Sequence, residues 1–383
     1  MKNTRFDNTG KRILNFSAGP GLMPATVLAT AAAEMSTFSQ GHSLMELSHR
    51  SAPFEKLLEE TEVSFRRLLN IPSNYKVLFM QGGATLQFSC IALNLCAGAN
   101  AGTKADYIVT GAWSQKGHEE AVRLLGSDRV NLVVNTKSSK HNGDIPPLST
   151  WNFSDKQSFV FYCDNETVHG VEFGSKFPFH AIAKDVPIVC DMSSSILSQP
   201  VDVSKFGLIF AGAQKNMGPA GVTVVIVRED LLVASYKYPQ PFPLMLDYST
   251  YATSHSMHNT PPTYPIYLCG LVFKWLETKI GGLIEMEKIN AAKAACLYEA
   301  IENSNGFYSC PVKKDYRSRM NVTFLVKGDF EKEFLAEAEK NGMIQLAGHR
   351  SVGGVRASLY NAMPLDGVQA LVSFMKEFAS ARF

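Results

Sequence analysis

The sequence predicts an α/β protein, in which a mostly parallel sheet is flanked by helices and followed by a smaller C-terminal α+β domain. Short apolar runs alternate with helical patterns through the first two thirds of the chain, as in α/β domains. These runs are continuously apolar, which is typical of parallel strands that are covered on both faces. The pattern changes after a proline-rich loop at residues 259–265, which indicates a second domain.

The individual elements follow from hydrophobic periodicity and residue type. The runs that predict strands in the first part cover residues 77–80, 107–110, 132–134, 159–162, 188–190, 208–211 and 222–227. Apolar residues at helical spacing predict a helix over residues 53–69. After the loop, we expect helices up to residue 275 and over residues 283–302, 330–340 and 367–378, with strands at 321–326 and 355–359. We therefore predict a large domain at 16–265 and a small domain at 266–383, with residues 1–15 as an arm that packs near the small domain.

Composition and charge exclude several classes of protein. The chain has 383 residues with 37 Lys+Arg and 35 Asp+Glu, a net charge of +2, and no run of like charges. Nucleic acids and anionic membranes select clustered basic residues, so neither is an expected partner. No apolar run approaches the roughly 18–20 residues of a membrane span, and the N-terminus lacks the apolar core of a signal peptide. We expect a soluble, cytoplasmic protein.

The cysteines and histidines do not indicate a metal site. The seven cysteines are scattered and form no C-x-x-C pair, whereas a disulfide framework or a zinc site needs closer and more regular spacing. His255 and His258 have metal-ligand spacing but lie in a Ser/Thr-rich loop without a matching cluster. We therefore expect no metal.

Polar residues follow several predicted strands, at the edge where open parallel sheets bind ligands. Gly82 and Gly83 precede a helical pattern, and such a turn can present backbone N–H groups to an anion, although it can equally be a plain tight turn. Trp113 follows the second strand and could fill the core or stack on a flat ring. The cluster Asp164-Asn165-Glu166-Thr167 could hydrogen-bond a ring substituent.

Asp191 and Lys215 are the most informative pair of residues. They lie at the ends of two successive predicted strands, 24 residues apart, so both side chains should enter one pocket. Lys215 alone could be a surface ion-pair partner, but it could also form a Schiff base. Pyridoxal phosphate requires an amine for its aldehyde and a carboxylate for its pyridinium nitrogen. It also requires an anion cup and a stacking surface, which the Gly82-Gly83-Ala84 turn and Trp113 can supply.

Seven stretches then identify a family. They lie at residues 15–20, 46–50, 81–84, 164–167, 211–221, 259–263 and 348–358. The sequence resembles the phosphoserine aminotransferases, which are fold-type I pyridoxal-phosphate enzymes. The block around Lys215 and the block at 348–358 are the most specific, and together the stretches span nearly the whole chain.

The resemblance implies a role for each of the matched residues. Lys215 would form the Schiff base, Asp191 would pair with the pyridine nitrogen and Trp113 would stack on the ring. Thr167 would hydrogen-bond the ring hydroxyl. The residues implied to hold the cofactor phosphate are Ala84 and Thr85 through backbone N–H groups, Gln214, and Asn259 and Thr260 from the neighbouring subunit of a homodimer. The residues implied to bind the anionic groups of the substrate are His49, Arg50, His349, Arg350 and Arg356.

The implied activity is ping-pong amino transfer from glutamate to 3-phosphohydroxypyruvate. It gives 2-oxoglutarate and O-phosphoserine, in serine biosynthesis. Such substrates carry a carboxylate together with a second anionic group, and planar guanidinium groups bind both kinds of anion well. Isolated arginines are more often solvated surface charges. The neighbouring Gly353 and Gly354 favour a functional loop.

Three other functions remain as alternatives. A cysteine desulfurase on the same scaffold would need a nucleophilic cysteine, for which Cys310 is the candidate. A cofactor-binding regulatory protein without turnover is disfavoured, because no DNA-binding motif or basic tail appears and every catalytic position is filled. A nicotinamide-dependent dehydrogenase is disfavoured, because no G-x-G-x-x-G follows the first strand. Action on a second substrate in vitamin B6 biosynthesis is left open.

Overall fold

The computed structural model describes residues 12–39, 41–96, 102–136, 143–233, 237 and 241–382. Its centre is a seven-stranded sheet. Across the sheet the order is β2 (Tyr75–Met80), β10 (Thr223–Arg228), β9 (Leu208–Gly212), β8 (Ile188–Asp191), β5 (Gln157–Cys163), β3 (Lys104–Val109) and β4 (Val130–Asn135). Only β10 runs antiparallel to its two neighbours in this sheet. The prediction of a mostly parallel sheet is confirmed.

Both faces of the sheet are covered, which explains why its strands are continuously apolar. On β5, Phe159 and Phe161 pack into one apolar cluster, while Val160 and Tyr162 pack into another on the opposite face. The first face carries α3 (Gly83–Cys96), α4 (Ala112–Leu125) and α5 (Tyr248–Thr253). The second face carries α1 (Ala25–Glu34), α2 (Ala52–Leu69) and α6 (Thr263–Trp275).

A second, smaller sheet lies in the C-terminal part of the chain. It consists of β11 (Tyr308–Ser309), β12 (Asn321–Val326) and β14 (Val355–Ser358), all antiparallel. With α7 (Leu283–Glu302), α8 (Glu331–Lys340) and α9 (Leu365–Ser380) it encloses a separate apolar cluster. Among the described residues, no helix has the length and apolarity needed to cross a lipid bilayer.

The N-terminal segment packs against this smaller unit. β1 (Leu14–Asn15) pairs in parallel with β13 (Met343–Ile344), and the fully buried Phe16 belongs to the C-terminal cluster. Residues 1–11 of the proposed arm lie outside the described residues. By contrast, α6 packs into the larger cluster, so the division between residues 265 and 266 stays a prediction.

A buried lysine fixes the chain that follows β14. Lys293 on α7 is 0% exposed and donates to the carbonyl oxygens of Leu359, Tyr360 and Met363 at 2.9, 2.9 and 3.0 Å. Burial lowers the pKa of Lys293 to about 7. The three carbonyl oxygens match the three donors of an ammonium group and therefore favour the charged form.

Replacing Lys293 by methionine is expected to lower the free energy of unfolding by about 3 kcal/mol, because buried carbonyl oxygens lose a charged donor. Urea denaturation measures the effect. The control is Lys288→Met on the same helix, where the lysine is exposed and pairs with Glu285 at 2.7 Å; this change should cost less than about 1 kcal/mol. Equal losses in the two variants would contradict the role given to Lys293.

Candidate active site

The carboxyl ends of four strands of the sheet lie along one edge, and the start of the antiparallel β10 lies between two of them. Met80 at the end of β2 and Gly212 at the end of β9 both pair with Thr223 of the intervening β10. Asp191 at the end of β8 pairs with Cys163 at the end of β5. Since adjacent strands lie about 4.8 Å apart, the segments that follow these ends form one edge of the sheet.

Lys215 lies in the turn after β9 and contacts residues from two other strand ends. Its Nζ donates to Thr167 Oγ1 at 2.6 Å and lies 5.9 Å from the centroid of the Trp113 ring. Burial lowers the pKa of Lys215 to about 8, and the charge of Asp191 opposes this shift. The structure therefore brings together a lysine, a threonine and an indole that are widely separated in sequence.

Asp191 is a buried carboxylate with a fixed orientation. Its Oδ1 accepts from the Ser193 backbone N–H at 2.8 Å, and the Sγ of Cys163 lies 3.9 Å from Oδ2. Ser193 Oγ in turn accepts from the Gly212 N–H at 3.0 Å, which joins the ends of β8 and β9. Burial raises the pKa of Asp191, while the Ser193 hydrogen bonds and the Lys215 charge lower it.

The first turn of α3 has the form of an anion site. The helix begins at Gly83, so Ala84 and Thr85 lie where backbone N–H groups have no partner within the helix. Gly82 has φ +97°, and a Cβ there would lie 2.4 Å from Leu86 Cδ2. The backbone of this turn therefore requires glycine.

The segment around residues 19–21 and the side chain of Gln214 lie next to Lys215. The Gly21 N–H donates to the Gln214 carbonyl at 2.8 Å. A Cβ on Gly19 would lie 3.2 Å from Lys215 Cγ, and one on Gly212 would lie 2.7 Å from Gln214 Oε1. The glycines thus allow the N-terminal segment and Gln214 to pack closely around the lysine.

A group of basic side chains lies near Lys215. Arg356 on β14 is half-buried, and its Nε has no hydrogen-bond partner among the described residues. Burial lowers the pKa of Arg356, and the charge of Arg356 acts on Lys215. The pKa of His349 is lowered by burial and by the charges of Arg356, Arg350 and Lys116. Arg350 and Arg356 thus lie in one positive region beside His349. The substrate-binding role that the sequence predicted for these three residues stays a prediction. Lys116 adds to the region, and the sequence did not predict it.

Four predicted site residues have no hydrogen bond or ion pair with Lys215 or Arg356 among those that the structure describes. Asn259 and Thr260 are exposed, and Asn259 Nδ2 lies 3.4 Å from Gln81 Oε1 of the same chain. His49 has a buried Nε2 that finds no partner in the described part of the chain, and Arg50 is exposed. Within the described parts of the chain, no hydrogen bond or ion pair joins His49 or Arg50 to Lys215 or Arg356. Their roles stay predictions.

Sequence reasoning gave Glu166 no role of its own beyond membership of the polar cluster, and the structure places it inside the site. The side chain is 0% exposed and accepts from the backbone N–H groups of Trp113 and Ser114 at 3.0 and 2.9 Å. The only signal in the sequence was its position in the polar cluster at residues 164–167. The Nε1 of Trp113 is buried without a partner among the described residues.

Comparison with known proteins gives a consistent family. The family model of class-V aminotransferases matches residues 13–371. A phosphoserine aminotransferase from Laribacter hongkongensis is 51% identical over 369 residues, which are 96% of this chain and 98% of that protein. A chloroplastic phosphoserine aminotransferase from Arabidopsis thaliana is 47% identical, over 96% of this chain and 83% of that protein.

Solved structures agree with the sequence relatives. The phosphoserine aminotransferase from Bacillus circulans subsp. alkalophilus superimposes with a TM-score of 0.90 at 43% identity, covering 97% of this chain and 99% of that one. The pyridoxal-phosphate-bound phosphoserine aminotransferase from Trichomonas vaginalis gives a TM-score of 0.87 at 41% identity, covering 95% and 100%. With these matches over nearly its whole length, the chain belongs to the class-V aminotransferase family and, within it, to the phosphoserine aminotransferases.

Proposed function

We propose that the protein is a pyridoxal-phosphate-dependent transaminase. It transfers an amino group between glutamate and 3-phosphohydroxypyruvate by a ping-pong mechanism and gives O-phosphoserine and 2-oxoglutarate, in serine biosynthesis. The observation that carries the proposal is the position of the Lys215 amine. It donates a hydrogen bond to Thr167, lies beside the Trp113 ring, and is acted on by the charge of Asp191. The family membership supports the same activity.

The residues at the strand ends fit pyridoxal phosphate. Lys215 would bind its aldehyde, Asp191 would pair with its ring nitrogen, and Trp113 would cover one face of the ring. Thr167 would bond the ring hydroxyl. The residues proposed to hold the phosphate are Ala84, Thr85 and Gln214, with Asn259 and Thr260 from a second subunit. When bound, the cofactor supplies an electron-poor ring that takes up the negative charge formed at the substrate Cα.

The side chains of this chain would carry the proton transfers. A half-buried Lys215 with a lowered pKa can remove the Cα proton of the substrate when its amine is free and return it at the cofactor's exocyclic carbon. Asp191, held by Ser193, would keep a positive charge on the ring nitrogen. The Trp113 ring would exclude water from the face of the cofactor ring that it covers.

The basic group would bind the anionic ends of both substrates. Arg356 has a buried Nε without a partner among the residues that the structure describes, and this N–H is available to a carboxylate. Arg350 adds positive charge beside it, and His349, whose pKa burial and the surrounding charges lower, can donate a hydrogen bond as a neutral ring. We assign the second anionic group to these residues together with His49 and Arg50. Glutamate and phosphoserine each carry two such groups, so one site can serve both half-reactions.

We also propose a cytoplasmic homodimer with its active sites at the subunit interface. The exposure of Asn259 and Thr260 supports this assembly, because both are free to approach a second subunit. The division into domains at 16–265 and 266–383 is part of the same proposal. It is supported by the separate apolar cluster of the smaller sheet.

The lowered pKa of Lys215 predicts how cofactor uptake depends on pH. Only the neutral amine attacks an aldehyde, so the rate of pyridoxal phosphate association with the apoprotein should rise as pH increases, with a midpoint near the pKa of about 8. An ordinary lysine titrates near about 10.4. Asp191→Asn removes a negative charge that raises the pKa of Lys215, so its midpoint should move to lower pH. Stopped-flow absorbance measures the midpoint for the wild type and for the variant. A midpoint in the variant that rises or stays unchanged would contradict the influence of Asp191 on Lys215.

The activity itself is tested by product analysis. Purified protein with glutamate and 3-phosphohydroxypyruvate should form 2-oxoglutarate and O-phosphoserine in equal amounts, and absence of both products would refute the function. Incubation with cysteine tests the desulfurase alternative through sulfide release. Burial raises the pKa of Cys310, and its Sγ lies 3.7 Å from the Val312 carbonyl oxygen. Cys310 is therefore poorly suited to act as a nucleophile.

A further inference from the structure

The N-terminus of α4 is held by side chains that include a carboxylate from another element. The backbone N–H of Trp113 donates to Glu166 Oε2 at 3.0 Å, and that of Ser114 donates to Oε1 at 2.9 Å. Glu166 lies on β6 (Asn165–Glu166), which forms a hairpin with β7 (Val171–Glu172). The first turn of the helix is therefore fixed by tertiary contacts with this hairpin.

The hydroxyl group of a serine links two further backbone N–H groups to the same carboxylate through hydrogen bonds. Ser114 Oγ accepts from the N–H groups of Thr110 and Gly111 at 2.9 and 3.1 Å. Its hydroxyl hydrogen is then available for Glu166 Oε1, which it contacts closely. Three donors thus converge on Glu166, and such an arrangement fits an ionised carboxylate, which has only acceptors. Burial raises the pKa of Glu166, and these hydrogen bonds lower it.

The backbone is built to admit this carboxylate. A Cβ on Gly111 would lie 2.5 Å from Glu166 Cδ, so any other residue at position 111 would displace the acid. The contact therefore depends on a matched pair, Gly111 and Glu166. A negative charge next to the first turn of a helix is also favoured by the helix dipole.

Glu166 joins two parts of the site. It accepts a hydrogen bond from the backbone N–H of Trp113, whose ring centroid lies 5.9 Å from Lys215 Nζ. The residue that follows Glu166, Thr167, accepts a hydrogen bond from the same Nζ. We propose that Glu166 is a positioning residue, which sets the Trp113 ring relative to Lys215 and thereby fixes the plane of the bound pyridoxal phosphate. This inference rests on the proposed function, in which Trp113 covers the cofactor ring.

The test is Glu166→Gln compared with Glu172→Gln. Glutamine keeps the size but has one acceptor oxygen, and its NH₂ group would face an N–H donor of α4. Glu172 is a matched control, since it is buried in the same hairpin but accepts from the Arg319 N–H. Equilibrium titration of the apoproteins gives the dissociation constant for pyridoxal phosphate. The circular dichroism of the bound cofactor band reports the orientation of its ring.

Glu166→Gln should raise the dissociation constant at least about tenfold, as expected for the loss of a hydrogen bond to a charged group, and should change the cofactor dichroism. Glu172→Gln should change neither. If Glu166→Gln does not fold, Ser114→Ala takes its place and should shift both readouts in the same direction. Unchanged affinity and dichroism in a folded variant would overturn the inference while the function stands. Failure of the wild-type protein to bind the cofactor would overturn the proposed function as well.

Discussion

Replacing Lys215 by alanine is expected to lower the rate of amino transfer by at least about 10³-fold. The change removes the nucleophile for the cofactor aldehyde and the base for the Cα proton, and general acid–base catalysis alone contributes about 10²–10⁴-fold. The alanine variant should still fold, because Lys215 Nζ makes one hydrogen bond, to Thr167, among those of the described residues. Turnover is measured by the formation of 2-oxoglutarate under saturating cofactor.

The matched control is Lys205→Ala. Lys205 lies before the start of the same strand, β9, and is exposed, with its Nζ 5.2 Å from the centroid of the Phe179 ring. Its removal should leave turnover within about twofold of the wild type, since surface substitutions change little. A Lys215→Ala protein that retains wild-type turnover would refute the assignment of the lysine.

Replacing Arg356 by alanine is expected to weaken substrate binding and to increase the stability of the substrate-free protein. Loss of a buried charged partner for an anion costs at least about 2 kcal/mol, so kcat/KM should fall by about 30-fold or more. Without substrate, the buried Nε of Arg356 has no partner among the described residues. Removing the guanidinium group therefore removes the free-energy cost of burying a donor that has no partner, and the folded state becomes more stable.

The control for Arg356→Ala is Arg319→Ala. Arg319 is also half-buried and lies just before β12 of the same small sheet, but its guanidinium contacts Glu287 at 3.0 Å. Its loss should lower the melting temperature and leave kcat/KM for both substrates little changed. Thermal denaturation without substrate and steady-state kinetics give both quantities. A lower melting temperature for Arg356→Ala, with kcat/KM unchanged, would contradict the substrate role of Arg356.

Patterns local in sequence predicted much of the fold. The helix expected over residues 283–302 and the strand expected over 321–326 have those bounds in the structure. They are strongly periodic segments with clear ends. The order of the strands and the reversed direction of β10 were not predicted, because they depend on long-range packing.

In the candidate site, too, local patterns predicted some features, whereas features that depend on long-range packing were not predicted. Asp191 and Lys215 could be paired from sequence, since both follow strands of one parallel sheet. The role of Glu166 could not, because its partners Trp113 and Ser114 are more than fifty positions away and meet it through backbone N–H groups. Burial of Lys293 was equally hidden: it is flanked by alanines on both sides, but a lysine in a helix normally predicts an exposed position.

The most direct test of a cofactor-bearing Lys215 is the visible absorption spectrum of the purified protein with pyridoxal phosphate. We predict a yellow band that persists after gel filtration and bleaches on addition of glutamate. It should also bleach, in a separate sample, on addition of O-phosphoserine. Lys215→Ala should lack the protein-linked band before an amino acid is added. A wild-type protein that shows no such band, or one whose band responds to neither amino acid, would contradict the central claim.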